Sequence, residues 1–146
     1  MPRKFALLAA TMLGVSFALT GLAFAAEYAG DLEKQMETIN KKTAAIRKAT
    51  KSAAAWKKDG KTVAADALEI AKLAKEAKKD KTSAEKVKKP QADWEKHSDE
   101  LIKAADALAV LAAKADTTQP QAKEAFGAVN KSCTECHAIF RVEDEK

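Results

Sequence analysis

Four stretches of this chain place apolar or small residues in alternating steps of three and four, and that spacing commits each stretch to a helix with one buried face. From Asp31 the first seam runs Leu32, Met36, Ile39, Thr43, Ile46, Thr50, Ala53. The second is Val63, Ala67, Ile70, Ala74, Ala77, flanked by Leu68 and Leu73. Trp94, Ser98, Leu101, Ala105, Leu108, Ala112 and Ala115 form the third, widened by Ile102 and Leu111. The fourth is Ala122, Phe126, Val129, Cys133, Cys136, Phe140. With five glycines and three prolines in 146 residues, the chain lacks the turn punctuation of an all-β fold.

The links between seams carry stop and start signals. Asp59-Gly60 is expected to end the first helix, since glycine accepts the left-handed conformation that closes one. The lysine-rich stretch 78–90 breaks the periodicity and reads as a loop, with Thr82-x-x-Glu85 a possible capping box for one short helical turn. Pro90 suits a helix start. Thr118-x-x-Gln121 resembles a second capping box, with Pro120 in its first turn. Short links of this kind predict one all-α domain, an antiparallel up-down-up-down four-helix bundle. Its seams are dominated by alanine, so the apolar area buried per residue is small for a chain of this size. Something besides side chains is expected to complete the core.

The N-terminus reads as a targeting segment. Arg3 and Lys4 precede an uncharged run from Phe5 to Ala26, and Ala23-Phe24-Ala25 has the small-residue spacing of a cleavage site. Residues 1–25 are therefore expected to be a signal peptide and residues 26–146 the bundle. A retained anchor is the alternative, because the run is long enough to span a bilayer. No later run is, so the mature chain is expected to be free of the membrane. Cleavage leaves 24 basic against 21 acidic residues, lowering the formal net charge from +5 to +3. The basic residues are dispersed, which gives no sign of nucleic-acid binding.

Cys133-Thr134-Glu135-Cys136-His137 has the spacing of a haem c attachment site. Two thiols one helical turn apart can each add to a vinyl group on one porphyrin edge, and the adjacent imidazole can then ligate the iron. A thioredoxin-like motif would need neighbouring strands, and a structural zinc site would need four ligands where only His97 remains to join. A local Cys133–Cys136 disulfide in a haem-free helical interaction protein stays open. It would explain neither His137 nor the small core. One covalent haem c, attached through Cys133 and Cys136 with His137 as proximal ligand, is the expectation.

The segment from Ala125 to Arg141, with its late CxxCH followed by Phe140 and Arg141, resembles the class II cytochromes c, the cytochrome c-prime family. The resemblance implies a four-helix bundle enclosing a covalently attached haem on its last helix. It also makes Arg141 a candidate group beside the proximal histidine, and Trp94 the family's aromatic early in the third helix. Low-spin members of the family use a methionine of the first helix as sixth ligand and carry electrons. Other members leave that position empty and bind NO or CO.

Met36 is the only methionine left after cleavage, and it lies on the inward seam of the first helix. In an antiparallel bundle it falls at the level of His137, so Met36 is the expected sixth ligand. Gap-filling is the alternative role for such a methionine. His97 is the rival ligand, but it sits off its seam beside Ser98 and is expected to face solvent in part. These readings together predict a periplasmic electron carrier, not an enzyme, meeting redox proteins through their acidic faces, as a monomer or a homodimer. A five-coordinate binder of NO or CO is the alternative.

Overall fold

The structure is a computed structural model that describes residues 20–141, with side chains from residue 31 onward. Five helices follow one another: α1 Thr20–Ala49, α2 Ala53–Ala77, α3 Thr82–Lys86, α4 Gln91–Ala112 and α5 Gln119–Phe140. The four long ones make the expected all-α four-helix bundle, and the described residues include no strand. Most of the expected leader lies outside the described residues. Among the described residues no helix is long and apolar enough to cross a membrane.

The helices alternate in direction. Lys75 pairs with Asp106 and Lys78 with Asp99, so α2 and α4 run antiparallel. Arg47 meets Asn130 at 3.3 Å while the Gln119 side chain donates to the Thr50 carbonyl further on, which sets α1 against α5 in the same way. The seams do what their spacing demands. Ile39, Ile46, Val63, Ala67, Ile70, Leu108 and Val129 are all buried in one core. Three adjacent pairs (α1 with α2, α2 with α4, α4 with α5) pack closely, whereas α1 and α5 touch only sparsely. The ring of four is slack on one side.

The first turn does not fall at Asp59-Gly60. α1 ends at Ala49, and Ser52 opens α2 by accepting the Ala55 N–H at 3.2 Å. Gly60 lies inside α2, buried, where a Cβ would stand 2.8 Å from the Trp56 ring. The glycine is there to let the indole lie flat against the helix, a packing use that shares its letter with the stop signal. Ala53, placed on the first seam by its spacing, is consequently the exposed first residue of α2.

The lysine-rich loop holds its one short helix, but Asp80 caps it rather than Thr82. The buried Asp80 carboxylate accepts from Thr82 Oγ1 at 2.8 Å and from the Ser83 N–H at 2.9 Å. An acid reaches the unpaired N–H groups with a full negative charge, and so outcompetes a hydroxyl for that position. The second expected box, Thr118 with Gln121, is present, with the Thr118 N–H donating to Gln121 Oε1 at 2.9 Å.

Candidate functional site

Antiparallel packing gathers one end of the bundle from five places in the chain: the stretch of α1 that carries Leu32 and Met36, the end of α2, α3, the start of α4 and the end of α5. A small cluster of Ala84, Trp94 and Phe140 is buried there, and Leu32, Met36, Val87 and Cys136 pack against it. Trp94 and Phe140 meet edge to face, with ring centroids 5.3 Å apart. The Trp94 Nε1–H donates to the Ala77 carbonyl at 3.1 Å, which pins the ring to the end of α2.

On α5, Cys133, Cys136 and His137 fall within an arc of ~100° of the helix circumference, because positions three and four apart share a face. Both cysteines are half-buried free thiols. Cys133 packs against the main core and Cys136 against the Trp94–Phe140 cluster. Burial raises the Cys133 thiol, and raises Cys136 to about 11 with help from the neighbouring Cys133 and Glu100 charges. Both are therefore neutral at neutral pH. His137 turns toward the open side of the helix. Burial of its ring and then the Arg141 charge hold its pKa below the usual histidine value, which keeps the imidazole neutral and able to ligate a metal. Arg141 follows as the C-cap of α5, exposed, with its N–H on the His137 carbonyl at 3.2 Å.

Met36 is half-buried and packs against both the main core and the cluster that holds Cys136. The structure thus brings Met36, Trp94 and the two cysteines to one end of the bundle, with His137 and Arg141 at its rim.

His97 faces solvent in part, as its place beside the seam suggests, but is more covered than a surface histidine. Only 15% of its side chain is exposed, and its ring lies edge-on to Phe140 with centroids 5.9 Å apart. Because α5 ends over the start of α4, a position beside the seam is covered there. Its Nδ1 lies 3.2 Å from Glu100 Oε2 but out of line for a hydrogen bond, so it remains a buried nitrogen without a partner. Thr43 Oγ1, buried on the α1 seam, is unpartnered too. A hydroxyl in the midst of an apolar seam was the visible sign of Thr43, whereas nothing local marks Glu100.

These residues fit a tethered planar group. Two thiols and an imidazole share one face of α5, the facing helix α1 is only loosely engaged, and a buried polar atom at this end, His97 Nδ1, has no hydrogen-bond partner. Native interiors rarely leave such atoms orphaned. By contrast, no group of three or more His, Cys, Asp or Glu side chains converges among the described residues as a metal site would require.

A protein-family model described as Cytochrome C' matches residues 28–141 of the chain. No curated protein and no solved structure matches it significantly.

Proposed function

The chain belongs to the cytochrome c-prime family, whose periplasmic proteins bind one covalently attached haem c, and on that premise we propose that it is an exported electron carrier with Met36 as the sixth ligand. The haem, when bound, supplies a one-electron iron couple. Cys133 and Cys136 tether it, His137 ligates it, and Trp94 with Phe140 provides a dry wall at that end of the bundle. Arg141 bears on His137 electrostatically, favouring its neutral form. No acid–base or nucleophilic machinery accompanies these residues, so the role is carriage, with redox proteins as partners, and not catalysis. Removal of residues 1–25 on export completes this reading.

The observation that carries the ligand assignment is the position of Met36, packed against the same Trp94–Phe140 cluster as Cys136 and on the helix facing α5. A thioether there, paired with histidine, raises the reduction potential. The test is the optical and magnetic spectrum of the purified holoprotein. A low-spin ferric haem with a Met–iron charge-transfer band is expected, and high-spin ferrous haem that readily takes up CO would overturn it.

One observation favours the five-coordinate, gas-binding alternative. Met36 also packs against the main core cluster, as a gap-filling methionine does. The same spectrum decides between the two.

A further inference from the structure

The slack seam between α1 and α5 opens, beyond the attachment motif, into a groove of about 680 Å³. Arg47, Lys48 and Lys51 line it from the end of α1 and the turn that follows, and Lys123, Phe126 and Asn130 line it from α5. No carboxylate lines the groove. Across the α1–α2 and α2–α4 seams cations are neutralised: Lys42 pairs with Asp66, Lys75 with Asp106 and Lys78 with Asp99. Among the described residues none of the four groove cations has an acidic partner, and Arg47 makes only a neutral hydrogen bond, to Asn130. At Gly127 a side chain would meet nothing within 4 Å, so this wall is open to an incoming surface.

Four like charges held together raise the local potential and favour an anionic counterpart, most strongly in a concave place. The groove also adjoins the attachment site. Asn130 precedes Cys133 by less than one helical turn, and the Arg47 charge is felt at the Cys133 thiol.

We propose that this groove is the docking surface for the acidic face of a one-electron redox protein. The proposal deepens the electron-carrier reading and rests on it for the redox character of the partner. A long, open, cationic groove suits a protein surface carrying several carboxylates, and its place beside Cys133 would bring that surface to the haem edge. Docking makes and breaks no covalent bond.

The test uses the holoprotein and, as probe, an acidic plant-type [2Fe–2S] ferredoxin. Binding is titrated at low ionic strength with both proteins oxidised, so that no electron can pass. The wild type is expected to bind, and binding should weaken with added salt. The double variant K48E/K51E should bind roughly tenfold more weakly or worse, the scale on which charge steering acts. K72E/K103E, which changes net charge equally at exposed positions on α2 and α4, should stay within about twofold of wild type. Absence of wild-type binding, or equal loss in both double variants, overturns the groove assignment. A second measurement follows haem reduction by the reduced ferredoxin, in which one electron leaves the cluster and reduces the ferric iron. Binding that depends on the groove without any such reduction would overturn the electron-carrier reading and leave the groove standing. Reduction at equal rates in wild type and both double variants would do the reverse.

Discussion

Trp94 and Phe140 stand edge to face, 5.3 Å apart at 82°, and so fasten the start of α4 to the last turn of α5. Phe140 comes three residues after His137, so this contact fixes the end of the helix that carries the attachment motif. Phe140→Ala removes a buried ring and its edge contact, and should cost about 3–5 kcal/mol in urea unfolding. Phe140→Leu should recover more than half of that. Equal losses for the two would show that the aromatic contact is not what holds the helix end.

Met36→Ala should leave covalent haem in place while converting the ferric iron from low to high spin and opening it to CO. The reduction potential should fall at the same time, since the thioether that favours ferrous iron is gone. Optical spectra and a redox titration read both effects. A variant that stays low-spin would direct attention to His97, which the structure places inside the bundle end.

Replacing Cys133 or Cys136 singly with serine should leave haem attached through one thioether, and the double replacement should leave none. Mass spectrometry of the purified protein checks this directly. Covalent haem surviving in the double variant would remove both cysteines from the site.

Gly60→Ala should destabilise the protein although alanine is the better helix former by about 0.8–1 kcal/mol. The new methyl would lie 2.8 Å from the Trp56 ring, and that ring is tied down by its Nε1–H on the Thr117 carbonyl at 3.1 Å. Overpacking of this kind costs about 1–3 kcal/mol, so a net fall in melting temperature is expected. A rise would mean that the indole gives way freely.

Asp80 predicts an acid-sensitive contribution to stability. Burial pushes its carboxyl up, but the bonds from Ser83 and Thr82 outweigh that and hold it below its ordinary value. A group depressed on folding stabilises the native state above its unfolded pKa, and that stabilisation is lost as the pH falls through the folded value. Between about pH 5 and pH 3 the urea midpoint of the wild type should therefore fall more steeply than that of Asp80→Asn. Parallel curves would remove Asp80 from the account.

The bundle was legible in the sequence because a buried helix face imposes its period on the residues that form it: Val63, Ala67, Ile70, Ala74 and Ala77 are spaced at the helical period and are all buried. The covalent haem c of the family was expected from the spacing of Cys133, Cys136 and His137, since its attachment requires thiols and imidazole at fixed spacing. Features settled by tertiary contact were not. Gly60 serves a ring one turn away, His97 is covered by Phe140, more than forty residues later, and Lys123 joins Arg47, Lys48 and Lys51 only when α1 meets α5. A capping carboxylate at Asp80 was readable in principle, yet the adjacent Thr82-x-x-Glu85 offered a more familiar pattern.

The sparse seam between α1 and α5 has a consequence for the order in which the molecule comes apart. These are the first and last helices, and joining them closes the longest loop the chain possesses, at the greatest entropic cost and for the least contact. Amide exchange should therefore begin there, with α1 and α5 parting while the other three seams stay closed. A tether bridging that seam would act less as a passenger than as the stitch that turns three firmly joined sides into a closed ring.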